Sequence, residues 1–247
     1  MKDIHDLDAL STSLLHKRII QKKPFLRKLY VDFYREFKDS IPDSCRNGLL
    51  VEIGSGGGFI KEVLPNTITS DMIDLPGLDK KFSALEMPFE NNTVDAFFMI
   101  DVLHHTKDVR MFFTEVNRCL KKNGKLIMIE PAATMWSRFI YCHFHHERFD
   151  PYGGWDQEEA GRLSLANLAI PWIVFYRDRT TFEALFPSLK IRKLKPHTPF
   201  RYLISGGLSF RQILPSFTYS IVKAIEIIAA PFNEYLGMFL TIEIEKR

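Results

Sequence analysis

Val51-Glu52-Ile53-Gly54-Ser55-Gly56-Gly57-Gly58 is the stretch whose reading decides the fold. Leu49 to Ile53 is a short apolar run, the pattern of a buried strand, and four of the next five residues are glycine. Glycines there let the backbone turn tightly and let a ligand approach the amides. Phe59 to Leu64 then begins a brief helix that Pro65 stops. Strand, glycine turn and helix open a βαβ unit. A dinucleotide fingerprint G-x-G-x-x-G anchored at Gly54 needs glycine at 59, where Phe59 stands. A phosphate loop needs a Gly-Lys-Ser/Thr ending, which is absent. What remains is an acid followed by alternate glycines: Glu52, Gly54, Gly56 and Gly58.

Outward from the turn, further strands are expected at 67–70, 94–100 and 125–130. Between the last two, Val109, Phe112, Phe113, Val116 and Leu120 follow helical spacing, and Asn123-Gly124 makes a turn. Strands alternating with helices imply an α/β fold with a parallel sheet covered on both faces. Upstream, residues 5–20 read as a helix. A second helix starts at Pro24, with Phe25, Leu29, Phe33 and Phe37 as one apolar stripe. Downstream, Thr180-x-x-Glu183 reads as a capping box for a helix to Phe186. Residues 189–195 and 238–245 read as strands, with a long apolar stretch at about 208–236 inserted between them. That insertion and the segment 131–177 are the candidates for substrate cover.

The acid-x-G-x-G-x-G pattern resembles motif I of the class I S-adenosylmethionine-dependent methyltransferases, and the resemblance continues in register. Thr69-Ser70-Asp71 puts an acid just past the second strand. Ser83-Ala84-Leu85-Glu86-Met87-Pro88-Phe89 resembles the family's D-A-x-x-L-P-F. Val94-Asp95 through Asp101-Val102-Leu103-His104-His105 is similar to its strand-four segment, and Asn117 to Leu126 resembles R-x-L-K-x-G-G-x-L. Glu130-Pro131 ends strand five. Together these motifs cover roughly residues 49–131, about a third of the chain, and the branch resembled is the type 11 small-molecule one. The resemblance implies a doubly wound, mostly parallel seven-stranded sheet, Rossmann-like, in the order 3-2-1-4-5-7-6. It implies one methyltransferase domain over 1–247, with a helical cover at 1–47, a cofactor-binding half at 48–131 and a substrate-side half at 132–247 whose insertion spans about 198–236. S-adenosylmethionine is the implied cofactor. Its expected contacts are Glu52, Gly54, Ser55, Gly56, Gly58, Asp71, Ser83, Ala84 and Asp101.

Two departures matter. Ser83 stands where the branch usually has Asp, so a carboxylate contact to the adenine amino group is lost or replaced. Only eleven residues separate Asp71 from Ser83, too few for the usual helix plus strand, so the helix there is shortened or absent. Asp74 then competes with Asp71 for the ribose. Asp71 is favoured because ligand groups cluster at the carboxyl ends of strands. Elementary chemistry agrees: two ribose hydroxyls are read efficiently by one carboxylate that accepts from both. Glu52 lies near where the resemblance puts a cationic aminoacyl end, which an acid favours. It also suits a strand acid that ties down the turn amides.

On the acceptor side, His104 and His105 begin the helix expected after strand four. They serve as substrate contacts or bases, or as hydrogen-bonding groups at a helix start. His143, His146 and Glu147 share a face at helical spacing, but His-Glu-x-x-His is missing, so a polar lid is favoured over metal. His197 follows a Lys-rich strand and could reach the site. The candidate bases are His105, His145 and His146. Lys190, Arg192, Lys193 and Lys195 suit a protected sheet edge. An Asn/Asp-Pro-Pro-aromatic sequence, the mark of base-amino methyltransferases, is replaced by Asp101-Val102-Leu103-His104. Nucleic acid is therefore not expected as partner.

Composition narrows the rest. The chain has 247 residues, 46% hydrophobic, with 21 Phe, enough for a proper core. A net charge of +3 is too slight to imply nucleic acid. The acids in Met1-Lys2-Asp3-Ile4-His5-Asp6 do not suit a signal peptide. The greasiest run, 217–232, is broken by Lys223, Glu226 and Pro231. Three scattered cysteines suggest reduced thiols and a cytoplasmic location. The reading is therefore methyl transfer to a small-molecule acceptor, a hydroxyl of a sugar, lipid or secondary metabolite, with membrane-surface or lipid contact through the insertion as a further option. A nucleotide-dependent oxidoreductase and a non-catalytic binding module are the alternatives.

Overall fold

Alternation along the central strands sets the layers. In β4 (Val94–Ile100), Phe97 and Met99 enter one apolar cluster while Ala96 and Phe98 enter another. β5 (Leu120–Pro131) divides Leu126 and Met128 from Ile127 and Ile129 in the same way. Successive side chains of a strand point to opposite faces, so strands apolar at every position need cover on both. The computed structural model describes residues 10–156 and 166–247. It shows a seven-stranded sheet in the order β3-β2-β1-β4-β5-β7-β6, as expected. β1 (Leu50–Glu52), β2 (Thr67–Asp71), β3 (Lys80–Lys81), β4 and β5 are parallel. β7 (Phe239–Lys246) runs antiparallel between β5 and the edge strand β6 (Leu189–His197). Two of the cations of β6 are paired, Arg192 with Glu245 and Lys193 with Glu36 and Glu243.

One face is covered by α1 (Leu10–Lys22) and α2 (Pro24–Ser40), whose Phe37 stacks on Phe98 with ring centroids 5.1 Å apart. The other is covered by α3 (Val109–Cys119), then α5 (Ile170–Trp172) and α6 (Arg179–Leu185), where Phe113, Phe175 and Phe182 pack edge to face. The substrate-side half adds α4 (Met135–Phe144), α7 (Arg201–Ser205), α8 (Tyr219–Ile228) and α9 (Asn233–Leu236).

Several local expectations need correction. The first helix begins at Leu10 and ends at Lys22; residues 5–9 of the expected helix lie outside the described residues. The helix after the glycine turn is a single 3-10 turn, Ile60–Glu62, because Pro65 follows so closely. No helix lies between β2 and β3, and β3 has only two residues, in keeping with the short spacing. Thr180 caps nothing: α6 starts at Arg179 after a π-helical turn over Ile173–Arg177, and Glu183 pairs with Arg179 instead. Asn123-Gly124 lies within β5, where the pairing with β4 jumps from Val94–Leu120 to Ala96–Lys125 and residues between bulge out.

Candidate functional site

Every parallel strand that carries an expected site residue delivers it at its carboxyl end, the edge where open α/β sheets bind ligands. Gly54 and Gly56 have positive φ, +68° and +50°. A Cβ on Gly54 would sit 2.5 Å from the Val102 side chain, and one on Gly58 2.5 Å from the Tyr34 hydroxyl. The turn is held from β2. Ser55 N donates to Ser70 O at 2.8 Å, Ser70 Oγ donates to Glu52 O at 2.7 Å, and Ser55 Oγ accepts from Ser70 N at 3.2 Å. The Ser55 hydroxyl is thus engaged with the neighbouring strand. Asp71 is buried at the end of β2, where Oδ2 accepts from Gly56 N at 3.0 Å and Oδ1 from Ile73 N at 3.2 Å. Asp74 is exposed.

Glu52 is buried beneath the turn, and its Oε2 has no hydrogen-bond partner among the described residues. Burial pushes its carboxyl up to about 8, against hydrogen bonds from Ser55 and Tyr34 and with help from the nearby Asp71 charge. A buried acceptor left unpaired beneath the glycine turn fits a cationic group arriving with a ligand. The residues present fit S-adenosylmethionine: Glu52 would take its ammonium and Asp71 its ribose hydroxyls.

Ser83 and Ala84 lie half-buried in the segment after β3, where Ser83 Oγ accepts from Leu85 N at 3.2 Å. Asp101 follows β4 with φ +54°. Burial, with the charges of Glu130 and Glu147, pushes its carboxyl up to about 7 although His104 opposes. Sequence reasoning missed two tyrosines here. Tyr30, from α2, lies close enough to Asp101, Tyr202 and Glu52 to feel their charges, and burial raises its pKa well above the usual value. Tyr202, from α7, is raised by burial and by Asp101 and Glu147. Tyr30 stands beside Leu29 of the α2 stripe and nothing in the sequence marks Tyr202, so only the packing of α2 and α7 over the crevice reveals them.

Beyond Asp101 a histidine–carboxylate cluster forms. His104 and His105 sit in a 3-10 turn, Leu103–His105, and α3 begins only at Val109, capped by Asp108, which corrects the expected helix start. His104 Nδ1 lies 2.7 Å from Glu130 Oε2, and Glu130 Oε1 accepts from Val102 N and Leu103 N at 2.8 Å each. Four imidazoles gather around Glu147: His104 Nε2 at 3.6 Å, and His105 Nε2, His145 Nδ1 and His146 Nε2 at 3.8 Å. Burial opposes a charge on His104, but its bonds to Glu130 and Glu147 win and push it up to about 10. Glu147, despite burial, is held down at about 2 by His104, His105 and His145. His145 is lowered by burial, and its Nδ1 accepts from Glu147 N at 3.2 Å.

His104, His105 and Glu147 bring three ligating atoms within 4.8 Å of one another, as do Asp101, His104 and Glu130. Both sets share His104, which as an imidazolium lies between the carboxylates of Glu130 and Glu147. The expected helical face of His143, His146 and Glu147 does not form, because α4 ends at Phe144. His143 instead meets the Phe139 carbonyl at 2.8 Å. His197 is not among the imidazoles around Glu147; it packs between Phe33 and Phe239 with Nε2 2.9 Å from Thr241 Oγ1, and burial pushes it down to about 4. A cleft of about 520 Å3 lies between α2 and β6–β7 near Lys125, at the opposite end of β5 from Glu130. Its lining charges Lys193, Glu36 and Glu243 are already paired with one another.

Residues 51–128 match the family model of a methyltransferase domain. No curated protein matches the sequence. Among solved structures, an S-adenosylmethionine-dependent methyltransferase from Thermotoga maritima, described as a possible histamine N-methyltransferase, is similar at 14% identity and a TM-score of 0.53, over 94% of this chain and 99% of that one. Geranyl diphosphate C-methyltransferase from Streptomyces coelicolor A3(2) is similar at 13% identity and a TM-score of 0.51, over 94% and 83%. A methyltransferase from Archaeoglobus fulgidus is similar at 13% identity and a TM-score of 0.52, over 89% and 94%. At such identities the likeness is one of fold. No helix among the described residues is long and apolar enough to cross a membrane.

Proposed function

We propose that the chain is an S-adenosylmethionine-dependent methyltransferase that methylates a hydroxyl of a small-molecule acceptor lying between Asp101 and the His105–Glu147 pair; the match of residues 51–128 to a methyltransferase domain and the sheet order support this reading. The observation that carries this reading is the meeting of His105 with Glu147 at the edge of β4, beside the glycine turn. The cofactor supplies a methyl group already activated on a sulfonium. The chain's task is then to orient the acceptor, exclude water and take a proton where the acceptor must lose one.

Glu52, Gly54, Ser55, Gly56, Gly58 and Asp71 hold the cofactor in this reading, with Ser83, Ala84 and Asp101 beside it. His105 is the favoured base among His105, His145 and His146. Its Nε2 faces Glu147, whose negative charge would stabilise the imidazolium formed when it takes a proton. The lone pair on His145 Nδ1 is already engaged by the Glu147 amide, and the His146 side chain is 56% exposed. His104, pinned by Glu130, fixes the carboxylate around which the others gather. The insertion over 198–236 forms the acceptor-side roof, with Tyr202 reaching toward Asp101.

Calorimetry with S-adenosylhomocysteine, followed by a methyl-transfer screen over hydroxyl, amine and carboxylate acceptors, tests the reading. Absence of binding at millimolar ligand would sink it. Binding without turnover on any hydroxyl would favour a binding module or another acceptor atom.

A further inference from the structure

α8 is apolar on both sides, and only one side is covered. Tyr219, Val222 and Glu226 face inward. Ile221, Ile225 and Ile228, spaced i, i+4, i+7, form an opposite stripe that is 59%, 50% and 79% exposed. Phe217 just before the helix and Phe232 just after it extend the stripe, both largely exposed. A surface helix of a soluble domain normally turns polar residues outward, and apolar patches of this kind mark contact surfaces.

The exposure is not that of a loosely held segment. Arg201 Nη1 bonds Asp32 Oδ2 at 2.6 Å and the Tyr219 hydroxyl at 2.7 Å, and its Nε bonds Glu226. Glu226 Oε1 also accepts from Phe200 N at 2.8 Å and Arg201 N at 2.7 Å. This buried network locks the inward face of α8 onto α2 and α7, so the isoleucines are held outward. Among Lys22, Lys28, Arg211 and Glu234, the exposed cations outnumber the exposed acid. Exposed Lys22 and Lys28 come from α1 and α2, Lys28 reaching Ser216 O at 3.4 Å, and Arg211 stands in the insertion itself. The acids Asp32 and Glu226 are turned inward and paired, which leaves Glu234 as the exposed acid of residues 208–236.

We propose that the insertion docks the protein on an anionic bilayer surface, with Ile221, Ile225 and Ile228 entering the headgroup boundary and Lys22, Lys28 and Arg211 meeting lipid phosphates. An apolar stripe with a cationic rim is the chemistry of interfacial helices, which lie in the membrane plane without spanning it. A second copy suits the surface less well, because paired identical faces set the same cations against each other. The proposal goes beyond the methyl-transfer reading and does not depend on it.

The test uses the full chain with vesicles of phosphatidylcholine alone or mixed with phosphatidylglycerol, read by co-sedimentation. Wild type is expected to bind the phosphatidylglycerol vesicles and to be released by salt. The triple variant Ile221→Ser/Ile225→Ser/Ile228→Ser should bind at least about tenfold more weakly, with unchanged melting and S-adenosylhomocysteine affinity. Lys22→Glu/Lys28→Glu should lose the preference for anionic lipid. Wild type that stays in the supernatant overturns the proposal, as does a triple variant that binds like wild type. Light scattering that shows a wild-type dimer, converted to monomer by the triple variant, assigns the face to a second copy and overturns it as well.

Discussion

The carboxylate of Asp71 accepts a hydrogen bond from the amide of Gly56 at 3.0 Å. This bond joins the end of β2 to the glycine turn after β1, so in the proposed reading the acid that takes the ribose and the turn beside it form one unit. Asp71→Ala should therefore weaken S-adenosylhomocysteine binding by about 2–3 kcal/mol, the loss of charge-assisted bonds. Asp74→Ala, at an exposed position, should be nearly silent. Calorimetry on both variants checks this, and a reversed order would put the ribose at the wrong acid.

Glu52 should release a proton when cofactor binds near neutral pH. In the free protein burial pushes its carboxyl up to about 8, so it is mostly neutral at pH 7. An arriving ammonium favours the charged form and pulls the value down. Affinity should accordingly rise with pH through neutrality and level off above about 8. Calorimetry in buffers of different ionisation enthalpy would count the proton. Glu52→Gln should abolish the release; pH-independent binding by wild type would exclude Glu52 from the ammonium site.

The His104 cluster makes stability depend on pH in two directions. His104 is raised from 6.5 to about 10, so its contribution is full below pH 6.5 and lost as pH rises through 10. Glu147 is lowered from 4.5 to about 2, so its contribution is full above pH 4.5 and lost as pH falls through 2. The cluster is most stabilising between those limits. Glu130→Gln leaves the buried imidazolium short of a partner and should cost about 3–5 kcal/mol, read from denaturant midpoints. A loss below about 1 kcal/mol would mean that His104 is neutral in the fold.

His105→Gln should keep S-adenosylhomocysteine affinity within a few-fold and lower turnover by about 10²-fold. The same change at His145 or His146 should have a smaller effect. If all three variants keep full turnover on an identified acceptor, proton removal is not their task, and positioning alone accounts for the reaction.

Phe37→Ala should cost about 3–5 kcal/mol, because Phe37 is fully buried and stacked on Phe98 where α2 meets β4. Thermal melting measures it, and a small loss would mean that α2 repacks easily over the sheet.

The glycine turn, the alternation of strands with helices and the acid at the end of β2 were legible in the sequence, while the sheet order came only with the family resemblance. Those readings follow from local rules: apolar runs for buried strands, backbone freedom at Gly54 and Gly56, and an acid at the carboxyl end of a strand. Tertiary structure alone decided which groups meet. Glu130 and His104 are 26 positions apart and Tyr34 and Glu52 are 18, so no periodicity links them. Nor could spacing reveal that α4 ends at Phe144 and releases His145, His146 and Glu147 to turn toward His105. The outward isoleucines of α8 belong to the same class. Its sequence is apolar on most sides, and which side is buried was settled by where Arg201 finds Glu226 and Asp32. Contacts of this kind depend on chain closure over long separations, which local propensity does not encode.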